Sequence, residues 1–63
     1  MKVRVGGRTF EAPSWRGALG DALAALGKRP TTAEERIRAT DALMKGREVQ
    51  IAGLLIKPVK ERR

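Results

Sequence analysis

Two stretches of the chain decide the fold: residues 2–11 read KVRVGGRTFE, and residues 48–57 read EVQIAGLLIK. Each begins with alternating polar and apolar residues, as a strand with one buried face does, and each has a glycine-containing pair of turn residues at its centre. The stretches align without a gap, so that Gly7 matches Gly53. Two β-hairpins are therefore predicted, although one long strand bulged at Gly53 is an alternative for the second.

A two-residue turn fixes the register of each predicted hairpin. In the first hairpin the valines then share one face with the phenylalanine. At the open end of both hairpins, charged residues of opposite sign oppose each other across the strands. The predicted pairs are Val5 with Arg8, Arg4 with Thr9, Val3 with Phe10, Lys2 with Glu11, Ile51 with Leu54, Val49 with Ile56 and Glu48 with Lys57.

The segment after the first hairpin has the pattern of an amphipathic helix. Ser14 is a good N-cap, and Gly27 stands where a glycine commonly follows a helix. Gly17 and Gly20 lie inside the helix and each costs about 1 kcal/mol relative to alanine. We therefore expect the backbone to approach the sheet or another chain closely at these glycines, in preference to contact with a ligand. The predicted apolar stripe consists of Trp15, Leu19, Ala22, Leu23 and Leu26.

A second helix is predicted from the capping box that precedes it. The box fits in either of two registers, Thr31 with Glu34 or Thr32 with Glu35. The helix should end at about Lys45, and its broad polar side indicates a surface position. Its predicted apolar face consists of Ala33, Ile37, Thr40 and Met44, with Leu43 beside it.

The order β-β-α-α-β-β predicts a small α+β domain with both helices on one face of an antiparallel sheet. We expect one domain over residues 1–59 and a flexible basic tail over residues 60–63. With 63 residues and no cysteine, the core must be small and has no disulfide to stabilise it. The second hairpin is more apolar than one buried face needs, which predicts a homodimer through Leu54, Leu55 or the sheet edge.

The residue types that are missing exclude most catalytic chemistry. Histidine and cysteine are both absent, which removes the commonest general base, the commonest metal ligand and the thiolate. Most carboxylates of the helices have basic neighbours, so we expect ion pairs there, and we expect no enzyme activity, no metal and no cofactor. The chain also lacks an apolar run of about 18 residues and an apolar N-terminal stretch, which predicts a small soluble cytoplasmic protein.

Fourteen basic residues against seven acidic ones give the chain a net charge of +7. The excess is confined to the first hairpin, the link between the helices and the C-terminus, because the helices themselves are balanced. It predicts a polyanionic partner, nucleic acid or a nucleoprotein complex, bound mainly through phosphates. The predicted contact residues are Arg4, Arg8, Lys28, Arg29, Lys57, Lys60, Arg62 and Arg63.

A different class of function is also open, namely a small protein-interaction regulator. Such a protein, a phage-type inhibitor or an accessory factor, would dock on a larger nucleic-acid machine such as RNA polymerase or the ribosome. Leu54 and Leu55 would then supply the apolar contact, with the basic residues at its rim. The abundance of arginine, nine against five lysines, and the absence of asparagine are compatible with a thermophile or a GC-rich genome.

Residues 1–27 and 46–51 resemble ubiquitin-like β-grasp domains, a group that includes small sulfur carriers and ferredoxin-type iron–sulfur domains. The shared pattern is a hairpin V-x-V-x-G-R-x-F-E-x-P followed by a helix ending in Leu26-Gly27. The chain has neither a C-terminal Gly-Gly nor a cysteine, so neither activity of that group is implied. Residues 45–53 resemble one strand of histone-like DNA-bending proteins, without their basic arm. A helix-turn-helix is a third alternative, but Glu34 and Glu35 would repel phosphate at the start of its second helix.

Overall fold

Four strands form one antiparallel sheet, and two helices lie between the first and second pair of strands in the sequence. The computed structural model describes residues 1–60. The predicted order β-β-α-α-β-β is confirmed, and the second glycine-containing stretch is a hairpin. The elements are β1 (Lys2–Val5), β2 (Arg8–Glu11), α1 (Trp15–Leu26), α2 (Ala33–Met44), β3 (Val49–Ile51) and β4 (Leu54–Val59).

The strand order across the sheet is β2-β1-β4-β3, so β1 and β4 occupy the centre. Within each hairpin the strands pair in the predicted register. The two hairpins meet through β1 and β4, which run antiparallel with Arg4 opposite Lys57 and Lys2 opposite Val59. Pro58 lies beyond the end of β3, where only β1 flanks β4, and this is where a strand tolerates a residue without an amide hydrogen.

The antiparallel pairing of β1 with β4 brings both hairpin turns to one end of the molecule. The central residues of the β3–β4 turn, Ala52 and Gly53, have φ values of 53° and 75°, which are typical of a type I′ turn. The amide of Lys28, after the end of α1, donates to the carbonyl of Ala52 at 3.1 Å. The link between the helices is therefore attached to this turn.

Both helices begin with side-chain caps that the sequence predicts. The Ser14 hydroxyl accepts from the amide of Gly17 at 3.0 Å. In α2 the structure selects one of the two capping-box registers: the Glu35 amide donates to the Thr32 hydroxyl, and the Thr32 amide donates to the Glu35 carboxylate, both at 3.1 Å. Each cap satisfies amides that have no partner within the helix.

The core lies between the helices and one face of the sheet. The small residues Ala18, Ala22 and Ala39 are fully buried, which lets both helices approach their neighbours closely. Leu19 and Leu43 fill the space between these helices and the strands. The buried strand and turn residues are Val3, Val5, Ile51, Ala52, Leu54 and Ile56, with Phe10, Ala12, Trp15, Leu23, Leu26 and Val49 partly buried around them.

The predicted apolar face of α2 is wrong. Ile37 and Met44 are 69% and 66% exposed, whereas the residues that α2 buries are Ala39 and Leu43. The helix packs against α1 and β3, and it presents the side that combines a small residue with a leucine. The larger side chains of the predicted stripe remain outside the core.

The two glycines inside α1 have different surroundings. A Cβ added at Gly17 would lie 3.1 Å from the Cβ of Ala12, so the backbone closely approaches the link between β2 and α1 there and not a strand of the sheet. A Cβ added at Gly20 would meet nothing within 4 Å. Close approach within residues 1–60 therefore explains Gly17 and does not explain Gly20.

Candidate nucleic-acid interface

The face of the sheet opposite the helices is open to solvent. Residues of β1 and β4 alternate between the core and this open face. Arg4 is exposed between the buried Val3 and Val5, and Lys57 is exposed next to the buried Ile56. The register sets Arg4 directly opposite Lys57 on the two central strands. Side chains so placed have Cβ atoms about 5 Å apart, and two like charges in such a pair destabilise a sheet. The centre of the open face is therefore a site of unfavourable positive charge.

Carboxylates neutralise this face only in part. The Lys57 ammonium lies 3.9 Å from the Glu48 carboxylate, the ion pair that the hairpin register predicts, but both side chains are more than half exposed and the contact is weak. Lys2 opposes Glu11 in the register, yet within residues 1–60 these two side chains make no ion pair. In the same range Arg4 has no ion-pair partner either.

Three of the predicted contact residues lie at the turn end of the molecule. Arg8 opposes Val5 in the register, and its guanidinium carbon stands 5.4 Å from the centre of the Phe10 ring, a cation–π contact. The aliphatic stem of Lys28 lies against Gly53. Arg8 and Lys28 thus have part of their side chains in contact with the protein, in contrast to the open arrangement of Arg4.

The third residue at this end, Arg29, is held in an ion pair. Its guanidinium donates to the Glu35 carboxylate at 2.9 Å. This hydrogen bond, followed by the one from the Thr32 amide, holds the pKa of the Glu35 carboxyl below its ordinary value, and it raises the pKa of Arg29. Arg29 therefore contributes less free positive charge than the sequence suggests.

One further predicted residue, Lys60, lies at the other end of the molecule from the hairpin turns. The Lys60 side chain lies beside Gly46, after the end of α2, where a cation favourably faces the negative end of the helix dipole. Arg62 and Arg63 lie outside the described residues.

The fold thus brings Arg4 and Lys57 together on the open face. Arg8 opposes the buried Val5 and therefore belongs to the other face of the sheet. Lys2, which shares the open face by strand alternation, is a basic residue that the sequence reasoning missed.

The two leucines predicted for partner contact lie on opposite faces of β4. Leu54 is 8% exposed and belongs to the core, whereas Leu55 is 46% exposed on the open face, opposite Gln50 of β3. Strand alternation separates them. Leu55 is therefore the leucine available to a partner, and the homodimer stays a prediction.

Residues 1–60 contain no group of three or more potential metal-ligating side chains and no helix long and apolar enough to cross a membrane. No family model, no curated protein and no solved structure matches this chain, so the similarity to β-grasp domains rests on the local sequence patterns alone.

Proposed function

We propose that this protein is a non-catalytic module that binds nucleic acid through its phosphates, using the open face of the sheet. The observation that carries the proposal is the direct opposition of Arg4 and Lys57 at the centre of that face. A phosphate group between the two side chains would replace their mutual repulsion with two favourable contacts. Lys2 would extend the contact toward the open end of the first hairpin.

The composition of the open face favours backbone contact over base recognition. The two aromatic residues of the sequence, Phe10 and Trp15, pack against the core. The open face therefore offers no aromatic ring on which a base could stack. Gln50 is the only side-chain amide in the sequence and thus the only one that could form a bidentate contact with adenine. Binding should accordingly depend on charge and little on sequence.

The test is the salt dependence of binding to random duplex and single-stranded oligonucleotides. Arg4→Gln and Lys57→Gln should each reduce the slope of log affinity against log salt by about one unit, because each removes about one phosphate contact. Arg38→Gln is the matched control, since Arg38 lies on α2 and pairs with Glu34. Unchanged affinity and slope in both open-face variants would overturn the proposal.

The Arg4→Gln variant also distinguishes an effect on binding from an effect on folding. Because Arg4 opposes a like charge in the free protein, Arg4→Gln should raise the free energy of unfolding by a few tenths of a kcal/mol at low salt while it weakens nucleic-acid binding. Urea unfolding followed by the fluorescence of the single tryptophan measures the stability. Loss of stability together with loss of binding would show that Arg4 has a structural role instead.

A protein-interaction regulator that docks on a nucleic-acid machine is the second candidate, and the exposure of Leu55 beside this charge favours it. Leu55→Ser distinguishes the two functions. If phosphates alone are bound, the oligonucleotide affinity and its salt slope should remain unchanged. If the leucine anchors a protein, the variant should reduce binding to the partner and leave binding to oligonucleotides as it was.

A further inference from the structure

A groove of about 570 Å³ runs between α1 and α2 and is open to solvent. Its α2 wall carries Ile37 and Met44, the two most exposed large apolar side chains among the described residues. They are seven residues apart on one side of the helix, about 10 Å along its axis. These two side chains place exposed apolar surface on one wall of the groove.

The α1 wall of the groove contains Gly20. No contact within 4 Å would oppose a side chain there, and the glycine costs about 1 kcal/mol of helix stability relative to alanine. Its effect is to leave the backbone of α1 open to close approach from the groove. An occupant that packs tightly against α1 would make use of this gap, as small residues do where helices meet.

Three charged residues line the groove: Arg16 on α1, and Arg36 and Asp41 on α2. Within residues 1–60 neither arginine makes an ion pair. The neighbouring charges of α2 are already matched, since Arg38 pairs with Glu34 at 2.8 Å and Lys45 pairs with Asp41 at 3.0 Å. The two charged residues of the groove lining that make no ion pair within residues 1–60 are therefore both positive.

We propose that this groove docks an acidic amphipathic helix of a partner protein, about three turns long. The aliphatic side chains of that helix would cover Ile37 and Met44, with its backbone close to Gly20 and its carboxylates against Arg16 and Arg36. This is the helix-in-groove mode of recognition, with anchors at i, i+4 and i+7. A second copy of the chain fits less well, because each copy carries a net charge of +7 and the groove edges repel each other.

The probe is a helix-stapled synthetic peptide of about 12 residues with leucine at those three positions and glutamate on its flanks, together with a scrambled peptide of the same composition. Fluorescence anisotropy should show the ordered peptide binding about tenfold more tightly than the scrambled one. Amide chemical-shift changes should fall on residues 16–20 and 33–44. Equal affinity for the two peptides, or shifts confined to the open face of the sheet, would overturn the proposal.

Variants with matched controls test the groove itself. Gly20→Gln fills the gap with a better helix former, so it should preserve or raise the melting temperature while it weakens peptide binding about tenfold. Arg36→Gln should weaken binding about threefold, whereas Arg38→Gln on the same helix should have no effect. Full affinity of Gly20→Gln for the peptide would contradict the docking mode. If the wild type self-associates and Gly20→Gln does not, a second copy of the chain is the occupant, and the proposal is also overturned.

Peptide binding in the groove and oligonucleotide binding on the open face should respond to different variants. Arg4→Gln should keep full affinity for the peptide, and Gly20→Gln should keep the salt slope for oligonucleotides. A peptide whose binding weakens with Arg4→Gln as much as with Arg36→Gln would indicate general attraction to a basic protein and would overturn the groove proposal. The oligonucleotide result would stand unchanged in that case.

Discussion

Gly27 follows the last residue of α1 with a φ of −57°, which any residue can adopt. Its constraint is steric, because an added Cβ would overlap the carbonyl oxygen of Leu23, the acceptor of the amide hydrogen bond of Gly27 itself. The same substitution at Gly20, in the interior of the helix, meets empty space. The two glycines thus give a matched pair at the scale of single residues.

We expect Gly27→Ala to lower the free energy of unfolding by about 1–3 kcal/mol, because the backbone at the end of α1 must shift. Gly20→Ala should raise it by about 0.5–1 kcal/mol through helix propensity alone. Urea unfolding followed by circular dichroism and by tryptophan fluorescence measures both. The same sign of effect in both variants would contradict the steric explanation for Gly27.

At the scale of elements, the capping box of α2 is a local structure for which the sequence allows two registers. The structure uses Thr32 as the cap. Thr32→Ala should therefore lower the free energy of unfolding by about 1 kcal/mol, whereas Thr31→Ala should change it by a few tenths at most. Thermal unfolding of the two variants decides the register. A larger effect at Thr31 would favour the capping box of Thr31 with Glu34.

Glu35, at the N-terminus of α2, makes the free energy of unfolding depend on pH. Its pKa is lowered in the folded protein, mainly by Arg29, so its contribution to stability is fully present above the ordinary pKa of glutamate, about 4.3, and is lost as the pH falls through the folded value. The stability difference between the wild type and Glu35→Gln should accordingly be constant near neutral pH and shrink below about pH 4.5. Arg29→Gln should reduce this pH dependence. A difference that stays constant down to pH 2 would contradict the ion pair.

The elements differ in how far the sequence alone predicts them. The hairpin registers follow from strand alternation around a two-residue turn, and such information is local. The orientation of α2 does not follow from the sequence. Two stripes have helical spacing, one with Ile37 and Met44 and the other with Ala39 and Leu43. The structure buries Ala39 and Leu43, since a small residue allows α2 to approach its neighbours closely. A sequence pattern does not contain the distance between two helices.

The candidate site shows the same limit at the scale of the whole molecule. Arg4 and Lys57 are 53 positions apart, and they oppose each other only because β1 and β4 are the strands through which the hairpins meet. The sequence indicates two hairpins but leaves open which strands become neighbours. It shows which segments carry the charge excess, but it does not show that residues of the first and last strands meet on one face of the sheet.

The position of β1 beside β4 also leaves Lys2, the first residue of the sheet, opposite Val59, the last. A circular permutant that joins these ends and opens the chain between Pro30 and Thr31 would have the order α2-β3-β4-β1-β2-α1. Its strands would then follow one another in the sequence as they do across the sheet, as a four-stranded meander. Because every strand pairing becomes local, the permutant should fold faster than the natural order while it keeps the same sheet. Stopped-flow refolding followed by tryptophan fluorescence measures the rates, and a slower permutant would indicate that contact between the helices limits folding.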